Sequence, residues 1–143
     1  MTRATGFTKD AGWQLGVRRT VALPPAAVWD FLLGEGLPLW LGCAELGRRK
    51  GDAYLTDDGV RGELRSRTDG LRVRLTWQPP EWAHDSTLQV TVTPAATGTT
   101  IGIHQERLAS QAERKQMLTH WTAVIKRIHG VTSAGWASRG SSR

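Results

Sequence analysis

The residues best suited to chemistry gather at two places. His104, Gln105, Glu106 and Arg107 follow one another at the end of a strand-like run, and His120 sits within a helix-like one. A general acid or base needs a titratable group within hydrogen-bond reach of its substrate. Alternation from Ile101 and Ile103 turns Gln105 inward and His104 and Glu106 outward. His120 precedes Trp121 and points about 100° away from it on a helix. The plain reading makes these groups surface or rim residues. His84-Asp85 is a bare dipeptide in a loop. No Ser-His-Asp constellation, HExxH, P-loop or GxGxxG occurs, so no catalytic residue is assigned. No ligand spacing for a metal is present, and nothing implies a cofactor. Cys43 is the one cysteine, which excludes an intramolecular disulfide and a cysteine zinc cluster. Neither a helix start nor a basic partner lowers its pKa, so it reads as a spectator thiol.

A second group is basic: Arg48-Arg49-Lys50, then Arg61, Arg65, Arg67, Arg72 and Arg74. Adjacent strands place the last five on one outer sheet face, with Glu63 offsetting part of the charge. Nucleic-acid binding wants aromatics interleaved with the cations, and Trp77 points the other way. No nucleic acid is expected, and the face reads as solvated arginine stems lying over a sheet.

The elements that carry these residues follow from periodicity. The chain has 143 residues and 15.7 kDa, enough for one domain. Hydrophobic residues are 39% and charged residues 22%, a globular balance. The net charge is +6, which speaks to association rather than to fold. No window reaches the ~18 apolar residues of a membrane span and no basic-then-apolar leader opens the chain. The expectation is a cytoplasmic protein with no membrane insertion. Residues 1–12 read as a flexible arm, 13–130 as a single domain and 131–143 as a flexible tail.

Gly16–Leu23 reads as a first strand, stopped by Pro24-Pro25. Residues 25–33 read as a short helix ended by Gly34 and Gly36, with one further helical turn over 37–41. Asp58-Gly59 and Asp69-Gly70 mark hairpin turns. Val60, Gly62, Leu64 and Ser66 alternate against Arg61, Glu63, Arg65 and Arg67. Leu71, Val73, Leu75 and Trp77 share the face opposite Arg72, Arg74 and Thr76. Leu88, Val90 and Val92, then Ile101 and Ile103, continue an antiparallel meander with one dry face. Its cover is a helix over about 111–129. Ser110 and Glu113 make the capping box, Met117, Trp121, Val124, Ile125 and Ile128 form one stripe, and Gly130 ends it.

That order resembles the SRPBCC (START or Bet v 1-like) superfamily. Within it the chain is similar to the family of homologues of the activator of heat-shock protein 90 ATPase. The resemblance rests on T-V-A-L-P-P-A-A-V-W-D-F-L (20–32), the Pro38–Trp40 turn, D-D-G-V-R-G-E-L (57–64), L-R-V-R-L-T-W-Q-P (71–79), G-T-T-I-G-I-H (98–104) and the helix around His120-Trp121. It spans about residues 14–130 and includes no invariant catalytic motif. It implies an α+β helix-grip fold, a curved antiparallel sheet wrapped around a long C-terminal helix. It further implies a cavity between them for a lipid, polyketide or other small apolar molecule. The family often has Gly before the Trp of the last helix. His120 stands there in this chain, which narrows such a cavity.

The ligand-binding candidates are Trp77, Met117, Trp121 and Ile125, followed by Leu75, Ile103 and Trp40. The competing reading of the same stripe is a solid core. A protein-interaction or co-chaperone-like module is the second functional reading, marked by an exposed patch with no internal void. A cyclase-like enzyme is the third, and it requires a buried Glu, His or Asp in the cavity. The expected partner is an unidentified small apolar molecule, with a protein partner under the second reading. The expected state is a monomer or weak homodimer.

Overall fold

The computed structural model describes residues 7–8, 12–43 and 45–134. The strands are β1 (Phe7–Thr8), β2 (Gly12–Val21), β3 (Ala53–Leu55), β4 (Arg61–Thr68), β5 (Arg72–Trp77), β6 (Ser86–Ala95) and β7 (Gly98–Leu108). The helices are α1 (Pro25–Leu33), α2 (Leu37–Trp40) and α3 (Gln111–Ser133). The strands form one antiparallel sheet in the order β1-β2-β7-β6-β5-β4-β3. The chain is α+β, and α3 lies against β2, β7 and α2. This is the helix-grip arrangement that the resemblance implied.

The clean alternation of β5 and β6 survives in three dimensions. Val73, Leu75 and Trp77 pair with Val90, Leu88 and Ser86, and all six are buried. Asp-Gly turns join the strands where the sequence places them. Gly59 has φ +87° and Gly70 has φ +81°, backbone that side chains other than glycine's rarely adopt. At the start of α3 the Ser110 hydroxyl accepts from the Glu113 N–H at 3.1 Å. The Glu113 carboxylate accepts in turn from the Ala109 N–H at 2.9 Å. Backbone donors that open the helix are satisfied from both directions.

Four expectations are corrected. The first long strand starts at Gly12 and ends at Val21, because its far half pairs with β7 as well. Leu71 lies in the β4–β5 turn and is exposed, so the inward row of β5 starts at Val73. Gly130 does not end α3. Buried Ile128 and Thr132 flank it, and the Thr132 hydroxyl donates to the Ile128 carbonyl at 2.9 Å. That packing outweighs a glycine cost of about 1 kcal/mol. The helix therefore takes in Val131–Ser133 from the expected tail. The remaining arm and tail residues, 1–6, 9–11 and 135–143, lie outside the described residues.

The fourth correction concerns the basic face. The β4–β5 register shifts between Leu64 and Ser66, so Arg65 is an extra, bulged residue. Beyond it Ser66 faces Arg74, while Arg67 pairs with buried Val73. Arg67 therefore leaves the outer face. Its side chain is only 9% exposed and donates to the Gly47 carbonyl at 3.1 Å and to Asp69 at 2.8 Å.

Candidate functional site

Of the sequence-predicted ligand-binding residues, Trp40 and Trp77 meet at a cleft, and His120 joins them there. The cleft, about 180 Å³, lies between α2, the β3–β4 hairpin and α3. Its walls include Trp40, Thr56, Asp58, Trp77, His120 and Arg127. Each wall is held by local chemistry. The Trp40 indole N–H donates to the Leu32 carbonyl at 2.8 Å, which ties α2 to α1. Gly42 at φ +89° turns the chain away behind it. The hairpin is closed by the Thr56 N–H on the Val60 carbonyl at 2.9 Å and the Val60 N–H on the Thr56 hydroxyl at 3.0 Å.

Trp77 is the floor. Its ring meets Trp121 edge-on at 5.6 Å and Trp82 edge-on at 5.4 Å. His120 lies 6.3 Å from Trp77 and 4.5 Å from Trp121. Burial against these rings, and then the charge of Arg127, lower the His120 pKa. The imidazole thus adds a neutral aromatic face, with Asp58 and Arg127 the charged groups of the cleft. His120 sits where the resemblance expected glycine, and its ring occupies part of the mouth.

The other candidates lie in the core. Met117, Trp121, Ile125, Leu75 and Ile103 are buried, and Trp121 is 0% exposed. The Trp121 indole N–H donates to Gln105 Oε1 at 2.7 Å. Gln105 Nε2 donates to Ser86 Oγ at 2.9 Å, and the Ser86 hydroxyl donates to the Trp77 carbonyl at 2.7 Å. Among the described residues every buried side-chain polar atom has a partner. These side chains are thus closed off from solvent, and their polar atoms bond to one another. Alternation found Gln105; it could not find its partners.

The titratable residues separate. His104 and Glu106 stand on the outer face, where Glu106 pairs with Arg74 at 2.6 Å and His104 Nε2 lies 3.0 Å from Gln14 Oε1. Burial, and then the nearby charges of Glu106 and Arg74, act on His104, with a net lowering of its pKa. His84 stacks on Trp82 at 4.9 Å and bonds Glu113 at 2.9 Å. Burial opposes its charge, but the Asp85 carbonyl and the Glu113 carboxylate together raise its pKa. Burial pushes the Cys43 thiol up, and the thiol donates to the Glu45 carbonyl at 3.2 Å. Tyr54, buried, is raised further and stays a donor to the Thr76 carbonyl. Among the described residues no group of three or more His, Cys, Asp or Glu is placed to hold a metal. No described helix is long and apolar enough to cross a membrane.

Sequence reasoning missed Thr56, Asp58 and Arg127 as cleft walls. Asp58-Gly59 was legible as a turn, but where its tip lands depends on how the sheet curls over α2.

No family model matches the chain, and no curated protein matches it. Solved structures do. DynU16, from the dynemicin biosynthetic locus, is 18% identical with a TM-score of 0.74, over 85% of this chain and 48% of that one. The chain thus spans about half the length of that protein. CV1439 from Chromobacterium violaceum is 22% identical with a TM-score of 0.66, over 83% and 96% of the two chains. PFC0360w, an HSP90 activator from Plasmodium falciparum, is 14% identical with a TM-score of 0.62, over 77% and 88%. At such identities the likeness is one of fold. The chain shares the helix-grip fold of these solved structures.

Proposed function

We propose that this protein binds a small, largely apolar and planar molecule at the cleft between α2, the β3–β4 hairpin and α3, without chemistry of its own. The observation that carries this reading is the convergence of Trp40, Trp77 and His120 on one concavity with Asp58 and Arg127 at its edge. Aromatic walls with a few placed polar groups are the usual make-up of small-ligand sites. At about 180 Å³ the cleft seats a single ring system. A larger ligand would have to displace α2, a single turn of helix. Met117, Trp121, Ile125, Leu75 and Ile103 then back the site rather than line it. Native mass spectrometry of freshly purified protein tests this, followed by identification of any small molecule released on denaturation. An adduct lost in Trp40→Ala supports the reading. A clean mass, with no tryptophan fluorescence response to a panel of planar apolar compounds, overturns it.

A second reading, a protein-interaction module, is favoured by the burial of Met117, Trp121, Ile125, Leu75 and Ile103 away from solvent. Exposed large apolar side chains among the described residues are Phe7, Leu55 and Leu71. They are scattered, so a protein partner would engage the charged outer face of the sheet.

A further inference from the structure

A second, larger concavity lies on the opposite side of the sheet. It measures about 630 Å³ and is walled by Arg61, Glu63, Arg65, Asp85 and Arg107 around Thr76. That volume falls within the range of about 300–1,000 Å³ usual for small-ligand sites. Two bulges contribute residues to its walls. The first is at Arg65, where β4 carries one more residue than β5. The second is near the end of β7, where Gln105–Leu108 spans three steps opposite two steps of β2 between Leu15 and Trp13. Arg107 sits in this second bulge at φ +64°, the one described non-glycine residue with positive φ. Left-handed backbone at an arginine is disfavoured and marks a place to look for function. Its effect is to turn Arg107 outward, although strict alternation from Gln105 would turn it inward.

Three guanidinium groups meet at one concavity, Arg61 and Arg65 from β4 and Arg107 from β7. Arg107 is fixed by the Thr87 hydroxyl at 2.9 Å and by Asp85 at 2.8 Å. Arg65 holds Glu63 through one nitrogen at 2.5 Å. Arg61 makes no side-chain ion pair among the described residues. Three cations against two carboxylates leave a net charge of +1 in the groove. Both ion pairs are more than 40% exposed, at 42%/44% and 43%/45%, so they are weakly held and readily shared with an incoming anion. Thr76 keeps the floor low, its hydroxyl occupied by the Glu63 N–H at 2.9 Å. Gly62 lines the groove and is itself obligatory, because a Cβ there would collide with the Thr76 carbonyl.

The geometry points to a binding site for a small organic oxyanion, a phosphate ester or a carboxylate, on the outer face of the sheet. Arginine forks match both groups bidentately. The site is independent of the proposed apolar cleft, which lies beyond the sheet's buried face.

The test is titration of the full chain with phenyl phosphate and, separately, benzoate. Arginine side-chain Nε–H signals are read by NMR in about 150 mM salt, where exposed long-range charge is screened. Saturable shifts of Arg61, Arg65 and Arg107 are expected with at least one probe, and the probe that saturates identifies the group. Arg61→Ala should weaken binding at least 10-fold with an unchanged melting temperature. Arg107→Lys, which keeps the charge and loses the fork, should also weaken it. Arg72→Ala, on the same face outside the groove, should leave binding within 2-fold. Shifts that never saturate with either probe overturn the proposal. So does an Arg72→Ala loss equal to that of Arg61→Ala, which would show diffuse charge attraction and no site.

Discussion

Replacing Gln105 by Leu tests whether the Trp121 indole is shut away from water. Gln105 is 0% exposed and is the sole acceptor shown for the Trp121 indole N–H, at 2.7 Å. Leucine is of similar size, so little volume changes. It strands that N–H in the core, at a cost of about 1–3 kcal/mol. Ser86 keeps its own bond to the Trp77 carbonyl, so the damage stays with one donor. The greater apolarity of leucine returns up to about 1 kcal/mol. The net loss is about 1–2 kcal/mol, or a fall in melting temperature of about 3–6 °C for a chain of this size. Urea unfolding followed by tryptophan fluorescence measures it, with an unchanged m-value as the check on mechanism. Trp121→Phe and the double variant complete a cycle. Removing both partners relieves the stranded donor, so a coupling of about 1–2 kcal/mol is expected. A Gln105→Leu protein as stable as the parent, with coupling below about 0.5 kcal/mol, refutes the reasoning. Water would then be reaching the indole.

Two glycines should respond with opposite signs. Gly70 is at φ +81° with open space around it, so Gly70→Ala should cost about 1–2 kcal/mol through the backbone alone, whereas helical Gly130, equally open, should gain about 0.5–1 kcal/mol as Ala, both read by urea unfolding. His84 has a raised folded-state pKa, so its contribution is fully present below its unfolded value near 6.5 and is lost as pH rises through the folded value. The melting-temperature gap between the parent and His84→Ala should therefore be wider at pH 5.5 than at pH 8.5, and an equal gap would remove the role of charge. Cys43, raised by burial, should alkylate with iodoacetamide at pH 8 several-fold more slowly than free cysteine; a faster rate would mean the thiol is not held as described.

What the sequence determined by itself was whatever is written in short periods. The alternation of residues 72–77 and 86–92, the helical stripe from Met117 to Ile128 and the Ser110–Glu113 cap all stand in the structure. So do the two Asp-Gly turns, because positive φ is a local demand that glycine meets locally. The inward aim of Gln105 followed from the same logic. What tertiary structure decided was every break in those periods. The bulges at Arg65 and Arg107 reverse the face of the residues beyond them, and a bulge is stabilised by neighbouring strands that sequence spacing does not contain. Gly130 remained helical because Ile128 and Thr132 pack on either side of it. Whether Trp121 and Met117 border a cavity or fill one depended on how side chains from the sheet and α3 interdigitate. That is a sum over distant volumes, and only the assembled fold performs it.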